Sequence, residues 1–268
     1  MHKKITIGEI LAAYGGEIKT GPFGTTLKAS EYSTEGVPVI SVGEIIDGAI
    51  RIKAHTPRVS SDTTQRLPEY VLQENDIVFA RKGSIDRSAL IGKSETGWFL
   101  GSDGIRLRFP KNISSKYVRY WISSDEIKRW IIQNSTGTTM ASLNQETIRR
   151  TPIWLPSLHN QQKIAAILGA LDDKIDLNRR TNETLETMAR ALFRDWFVDF
   201  GPTRAKMAGQ TPYLAPEIWE LFPDRLDDEG KPEGWHYRNL GSLCERTIGG
   251  IWGDDQPNIK ASSKFLCL

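Results

Sequence analysis

Cysteine is scarce in this chain of 268 residues, which contains only Cys244 and Cys267. Two cysteines cannot build the disulfide framework of a small secreted domain, and they lack the CxxC or Cys/His spacing of a zinc site. Long apolar runs are missing too, because no stretch reaches the roughly eighteen residues of a membrane span, and no apolar signal region follows the lysines of MHKKITIGEI. The sequence therefore predicts a cytoplasmic globular protein with no membrane segment and no metal.

Catalytic motifs are also absent. The sequence has no Asp/Asn-Pro-Pro-aromatic motif of a base methyltransferase, and no Gly-rich loop joins a strand to a helix as a methyl-donor site requires. The GKS at Gly92–Ser94 lacks the earlier glycine of a Walker motif, since Arg87 stands there. Glu126 and Lys128 form an E-x-K pair like that of some nucleases, but on a predicted helix without an acidic partner. We predict a protein that is not an enzyme and binds no cofactor, with a nuclease or methyltransferase as an alternative.

Charge is unevenly distributed along the chain. Met1 to Leu155 carry 21 Lys and Arg against 16 Asp and Glu, whereas Gly201 to Gly234 carry 4 against 7. A solvated basic face accounts for an excess of this size in the first part. Charge alone therefore does not indicate a nucleic-acid partner.

Short apolar runs bounded by turn residues predict strands from Ile5 to Leu155. In SSKYVRYWISSDEIKRWIIQNS the apolar residues recur at helical spacing, which predicts one or two helices against the sheet. Residues 1–155 are therefore predicted to form an α/β (α+β) domain in which Tyr117, Tyr120, Trp121 and Trp130 pack instead of stacking on bases. The predicted strands lie in VPVISVGEI, NDIVFARKG, SALIGKS, GIRLRF and TPIWLP.

Residues 156–200 predict one long helix. Gln161 to Phe197 contain no proline and one glycine, and seam residues recur at alternating steps of four and three, as in a coiled coil. Such a rod would be about 55 Å long, which calls for a partner helix, and asparagines in the seam would set its register. The alternative is a long helix lying on its own domain. The predicted oligomerisation seam consists of Ile164, Leu168, Leu171, Ile175, Asn178, Asn182, Leu185, Ala189, Leu192 and Trp196.

The last part of the chain reads as a linker and a partial repeat. Residues 201–234 are rich in proline, glycine and acid, which predicts a linker with one short helix. LGSLCERTIGGIWG then repeats the pattern of IGEILAAYGGEIKTGPFG near the start. Residues 235–268 are therefore expected to be the truncated start of a second copy of the first domain, too short to pack by itself.

One segment resembles a known family. LPSLHNQQKIAAILGALDDKIDLNRR is similar to the segment of type I restriction-modification specificity subunits in which a proline-bearing strand leads into a long spacer helix. The likeness continues through FRDWFVDFGPTRAKM, LFPDRL and PEGWHYRNLGSL, and so covers the chain after Thr136. Asn160 stands where the family usually has Glu, and the second recognition domain is missing from this sequence. The chain resembles a half subunit, natural or truncated.

The resemblance implies a reader of double-stranded DNA without catalytic activity. Residues 1–155 would be a target recognition domain that reads one half of a bipartite site, and residues 156–200 the spacer. Methyltransferase and restriction subunits would be the partners that carry the chemistry. The seam would then pair with the same helix of a second molecule, giving a homodimer. A coiled-coil interaction protein with no DNA role is the alternative.

Three segments of the first domain combine glycine, small hydroxyls and positive charge, namely KTGPFGTTLK, RKGSIDRS and STGTTMASLN. Glycine lets the backbone approach phosphates, Ser and Thr bond phosphate oxygens or bases, and Arg can bind a guanine edge through two hydrogen bonds. The same composition also suits ordinary solvated turns. The predicted DNA-binding residues are Lys19, Thr25, Thr26, Lys28, Arg81, Lys82, Ser84, Arg87, Thr138, Thr139 and Asn144.

Overall fold

The computed structural model describes residues 4–136 and 141–243 of the chain. The chain forms two compact units, Met1–Asn178 and Arg179–Leu268. The described strands, all in the first unit, are β1 Ile5–Thr6, β2 Glu17–Thr20, β3 Tyr32–Ser33, β4 Val37–Ile40, β5 Ile45–Ile46, β6 Ala49–Ile50, β7 Arg58–Val59, β8 Ile77–Ala80, β9 Ser88–Leu90, β10 Phe99–Leu100, β11 Gly104–Arg108 and β12 Pro152–Ile153. The described helices are α1 Ile7–Tyr14, α2 Ser61–Arg66, α3 Ser115–Ile122, α4 Asp125–Asn134, α5 Gln145–Arg150, α6 Leu158–Phe197, α7 Gly201–Met207 and α8 Pro216–Trp219.

The predicted fold class is confirmed, since a mixed α/β domain is followed by one long helix. Each of the five predicted strand segments contains a strand, and the segment with helical spacing forms α3 and α4. The strands are shorter than the apolar runs because turns interrupt them. VPVISVGEI stops being a strand at Ile40, where the Glu44 carboxylate accepts a hydrogen bond from the Ser41 N–H at 3.1 Å and closes a turn.

Two four-stranded sheets form the body of the first unit. One has the order β2-β11-β8-β9 and is antiparallel throughout, and the other has the order β10-β4-β7-β3, with β10 and β4 parallel. All four residues of β8 are buried because both faces of this strand are covered. Ile77 and Phe79 belong to the main core, and Val78 belongs to a second apolar cluster with Ile40 and Leu100.

Helices α1, α3, α4 and α5 cover the main core. The predicted packing role of the aromatic residues is confirmed. The buried Tyr117 donates its hydroxyl to the Trp154 carbonyl at 2.6 Å, and Trp121 donates its indole N–H to the Pro152 carbonyl at 2.9 Å. Burial raises the pKa of Tyr117 to about 12. These two side chains therefore hold α3 against β12 and the residue that follows it.

The start of α6 is held against α3 by Gln161, which is only 2% exposed. Its side-chain oxygen accepts the Ser114 N–H at 3.0 Å, and its amide nitrogen donates to the Pro156 carbonyl at 2.8 Å. The Asn160 N–H donates to the Ser157 hydroxyl at 3.4 Å. Ser157 and Gln161 therefore supply hydrogen bonds at the start of the helix, which begins at Leu158.

The second unit contains a packed aromatic cluster. Trp196 contacts Phe222 at a ring distance of 5.8 Å, and Phe197 stacks on Trp235 at 5.9 Å. Helices α7 and α8 lie between these residues in the chain, where the sequence predicts a linker with one short helix. Aromatic residues far apart in the sequence thus contact one another and bury Phe222, which local composition does not predict. Residues 244–268 of the predicted second copy lie outside the described residues.

Within residues 4–136 and 141–243, no helix is both long and apolar enough to cross a membrane.

Candidate nucleic-acid interface

The antiparallel order of the first sheet brings four chain segments to one of its ends. Strands β2 and β8 finish there, at Thr20 and Ala80, and strands β11 and β9 begin there, at Gly104 and Ser88. We call this the Thr20 end of the sheet. Loops that are far apart in the sequence therefore start from neighbouring positions.

The loop between β8 and β9 is a tight hairpin at the Thr20 end. The Ala80 N–H donates to the Arg87 carbonyl at 3.1 Å, and the Arg87 N–H donates to the Ser84 carbonyl at 3.1 Å. Gly83 has a φ of 70°, a conformation that glycine adopts without a Cβ clash. Ile85 is buried in the main core and fixes the hairpin to the domain. The predicted residue Ser84 thus lies in a rigid turn.

The three cations of this hairpin differ in what they contact. Arg81 donates a guanidinium N–H to the Ser102 carbonyl at 3.3 Å, and Lys82 forms an ion pair with Asp103 at 3.1 Å. Arg87 is exposed, and its guanidinium has no hydrogen bond or ion pair to any residue in the described part of the chain. Among the described residues, Arg87 is therefore the cation of this loop with no partner to leave before it contacts a ligand.

The loop after β2 starts at the same end of the sheet as this hairpin. The Gly21 N–H donates to the Gly104 carbonyl at 3.0 Å, and a Cβ at Gly21 would collide with the Gly101 carbonyl oxygen. Thr25 is exposed, and the Thr26 carbonyl accepts a hydrogen bond from Arg66 at 3.3 Å. The close approach of two glycine backbones therefore fixes the base of the loop and presents Thr25 to solvent.

Lys19 and Lys28 flank this loop but do not belong to it. Lys19 lies inside β2, and its ammonium group sits 5.0 Å from the centre of the Tyr70 ring, a cation–π contact. Lys28 is exposed and begins the 3-10 turn Ala29–Glu31. The Lys28 backbone N–H and the Arg66 ion pair hold the pKa of Glu31 below its usual value. Glu31 is therefore ionised at neutral pH and keeps Arg66 paired.

Ala141 and Leu143 join the same end of the sheet. The Gly83 N–H donates to the Ala141 carbonyl at 3.1 Å, and the Leu143 N–H donates to the Arg81 carbonyl at 2.8 Å. The Asn144 side chain caps α5, because its oxygen accepts the Thr147 N–H at 2.8 Å. The predicted residues Thr138 and Thr139 lie outside the described residues.

Sequence reasoning missed two features of the Thr20 end. One is the turn Gly101–Gly104, whose Asp103 contacts Lys82 and whose Gly101 N–H donates to the Ile40 carbonyl at 2.7 Å. The turn residues GSDG between two apolar runs were the available sign of this loop. The other is Phe23, a 68% exposed aromatic residue between Pro22 and Gly24.

The E-x-K pair on α4 has structural partners. Glu126 forms an ion pair with Lys4 at 2.6 Å, and Lys128 forms one with Asp47. Each charge is thus paired with a different element on the surface. No group of three His, Cys, Asp or Glu side chains able to hold a metal occurs in the part of the chain that the structure describes.

The predicted seam of α6 divides into a packed start, an exposed middle and a packed end. Ile164 packs against the main core and Leu168 is half-buried, while Trp196 contacts Phe222. Every residue from Leu171 to Arg194 is exposed. The apolar seam residues of this stretch are from 45% to 57% exposed, namely Leu171, Ile175, Leu185 and Leu192, and Asn178 and Asn182 are exposed with them.

The last packed turn of α6 in the first unit contacts α3. Asp172 accepts the Tyr120 hydroxyl at 2.7 Å and pairs with Arg119 at 3.4 Å. Burial, followed by the hydrogen bond to Asp172, raises the pKa of Tyr120 to about 12. A Cβ at Gly169 would collide with the Lys116 ammonium group. The glycine of the predicted helix is therefore where a side chain of α3 crosses it.

Comparison with known proteins identifies the family. Residues 4–187 match the family described as type I restriction modification DNA specificity domain. The chain belongs to this family. The family inferred from the sequence is thereby confirmed, and the match extends over residues 4–136, which the sequence resemblance did not cover.

Two curated relatives are specificity subunits of type I restriction enzymes. The MjaIX subunit of Methanocaldococcus jannaschii is 32% identical over 55% of this chain and 32% of its own length. The HindI subunit of Haemophilus influenzae is 30% identical over 48% of this chain and 39% of its own length. The chain therefore spans between a third and two fifths of these specificity subunits.

A solved chain from a type I restriction-modification system, studied for its complex assembly and conformational transition, has the same fold. The superposition has a TM-score of 0.51 at 16% sequence identity, and it covers 71% of this chain and 43% of the solved chain. This likeness concerns the fold of the chain alone.

Proposed function

We propose that this chain is the non-catalytic DNA-recognition subunit of a type I restriction-modification complex. It reads one half of a bipartite site in double-stranded DNA and directs methyltransferase and restriction subunits to that site. The observation that carries this proposal is the convergence of three basic or hydroxyl-bearing loops at the Thr20 end of one sheet. The specificity subunits that it is similar to belong to type I restriction enzymes.

The chemistry of the Thr20 end suits DNA. Among the described residues, Arg87 is exposed and unpaired, and Thr25 is exposed. Gly24 and Gly83 have open space where a Cβ would stand, so the backbone of both loops can come close to phosphates. An arginine on a rigid hairpin can reach a guanine edge with two parallel hydrogen bonds. The hairpin and the loop after β2 therefore read bases, while the surrounding backbone positions the domain.

The exposed middle of α6 supports a partner helix. A helix with apolar residues every three or four positions and no contact on that face is stabilised when a second helix covers it. A second copy of the same helix, antiparallel and related by a two-fold axis, would place one recognition domain at each end. Asn178 and Asn182 would then lie near the axis, where they can pair.

Division of labour gives the direct test. The purified chain alone should neither methylate nor cleave DNA, whereas the chain with its methyltransferase subunit should methylate adenine or cytosine at one defined sequence. Methylome sequencing of cells that carry both proteins, and of cells that lack this chain, measures the outcome. Methylation or cleavage by the purified chain in the absence of other subunits contradicts the proposal.

A gel shift at several salt concentrations separates the reader from a coiled-coil protein with no DNA role. For the assembled complex, the logarithm of affinity should fall linearly with the logarithm of salt, by about 0.9 per phosphate contact. An assembled complex that does not bind DNA at low salt would favour the coiled-coil protein.

A further inference from the structure

Phe23 is an exposed aromatic residue in a loop whose other apolar residues are buried. Its side chain is 68% exposed, whereas Pro22 and Leu27 on either side of it are buried. Leu27 belongs to an apolar cluster with Val39 and Phe99. The loop after β2 therefore places its smaller apolar residues in the interior and its largest one in solvent.

The backbone around Phe23 is fixed at both sides. Before it, Gly21 is held against Gly101 and donates to the Gly104 carbonyl at 3.0 Å. After it, the Phe23 carbonyl accepts the Thr26 N–H at 3.3 Å across a turn in which Gly24 has a φ of 63°. The ring is thus presented from an anchored turn at the Thr20 end.

The chemistry of the ring restricts what it can bind in DNA. A phenyl ring has no donor or acceptor for a phosphate, and the apolar surfaces of a duplex are the thymine methyl group and the faces of bases at an opened step. Thr25 and the Arg81–Arg87 hairpin lie at the same end of the sheet and offer polar and cationic groups for the backbone around it.

We propose that Phe23 is a specificity-determining residue that contacts an apolar base surface, either a thymine methyl group or the face of a base at an opened step. The assignment rests on the proposed function, because it requires the Thr20 end to face DNA. Single exposed apolar residues are common on protein surfaces. The position of Phe23 among the recognition loops distinguishes it from Tyr14, which is exposed at the opposite end of β2.

The test uses the full chain assembled with its methyltransferase subunit and a duplex that carries the site methylated in cells. Phe23→Ala should lower the affinity for this duplex by about tenfold or more, the loss expected for one aromatic–base contact. Affinity for a scrambled duplex should stay within about twofold, because the phosphate contacts remain. Phe23→Leu should recover part of the loss, and Tyr14→Ala should change neither affinity.

Two modified duplexes distinguish the two base surfaces. Deoxyuridine in place of a thymine removes only the methyl group, so a loss seen with the unsubstituted chain and absent in Phe23→Ala identifies a methyl contact. 2-Aminopurine beside an opened step brightens when it unstacks, so a fluorescence rise that Phe23→Ala abolishes identifies a stacking contact.

The outcome that overturns the inference is a Phe23→Ala complex with unchanged affinity for both duplexes and an unchanged methylated sequence. DNA recognition by the chain would then stand without Phe23. An assembled complex of the unsubstituted chain that prefers no sequence would instead overturn the proposed function, and the role of Phe23 with it.

Discussion

Arg87 differs from Arg81, Lys82 and Lys19 in having no partner for its side chain within the described residues. Arg81 is held by a carbonyl, Lys82 by the Asp103 carboxylate and Lys19 by the Tyr70 ring. A cation that leaves an ion pair to bind DNA loses part of what it gains, since the acid then remains unpaired. At the scale of single residues, we therefore expect Arg87 to contribute most to recognition.

Alanine substitution tests whether Arg87 contributes more to DNA binding than the paired cations do. Arg87→Ala should cost about 1–3 kcal/mol at the preferred site if Arg87 reads a base, and it should weaken all sequences alike if it contacts a phosphate. Lys82→Ala should have a smaller effect, because Asp103 already neutralises that charge. The affinities of each variant complex for the methylated sequence and for a scrambled duplex measure these two effects.

Lys111→Ala is the matched control for these variants. Lys111 is exposed just after β11, at the end of the sheet opposite Thr20, and its removal takes away the same charge. Binding that is unchanged in Arg81→Ala, Lys82→Ala and Arg87→Ala would exclude this hairpin from the interface.

Helix α6 has different tasks along its length. Its start is fixed by Gln161 and by the contacts of Asp172 with α3, and its middle exposes an apolar seam that contains Asn178 and Asn182. Polar seam residues lower the stability of a coiled coil but select one register, because only one alignment pairs them. At the scale of the element, we therefore expect the seam to determine the alignment of a partner helix as well as its association.

Replacing both asparagines by leucine tests this reading. Asn178→Leu with Asn182→Leu should raise the free energy of dimer dissociation and unfolding, since each buried leucine contributes about 1.5–3 kcal/mol. The same variant should lose its single register. Urea unfolding measures the stability, and the distance distribution between labels at Lys111→Cys in a Cys244→Ser, Cys267→Ser chain measures the register.

Thr184→Leu with Thr187→Leu serves as the control, because these exposed threonines lie away from the seam on α6. In this control variant, the distribution of distances between the labels at position 111 should stay narrow. If the asparagine variant kept a single distance and gained no stability, these residues would not lie in a helix interface.

For the whole molecule, a two-fold dimer predicts the symmetry of the DNA site. Two identical recognition domains joined by antiparallel α6 helices would select an inverted repeat, with a gap determined by the helix length. Sedimentation at micromolar concentration and site selection from random DNA test this together. A monomer, or a selected site without symmetry, would indicate that the helix pairs with another protein, such as the methyltransferase subunit.

The sequence by itself determined the mixed α/β class and the long helix. Both depend on local periodicity, which repeats every two residues in a strand and every three to four in a helix. The same periodicity nominates a seam from Ile164 to Trp196, which stays a prediction, and the family could be inferred from segments that join the helix to its neighbours. The composition of the loops was also enough to nominate Arg81, Lys82 and Arg87.

Only the tertiary structure decided which of these residues can act together. The order β2-β11-β8-β9 brings Thr20, Ala80, Ser88 and Gly104 to one end of a sheet, although they span more than eighty residues of sequence. Whether a charged or polar side chain is free depends on what the fold places beside it. Lys19 contacts the Tyr70 ring and Asn144 caps a helix, whereas Arg87 and Phe23 are exposed. The sequence does not predict these differences, because they depend on contacts between elements that are far apart in the chain.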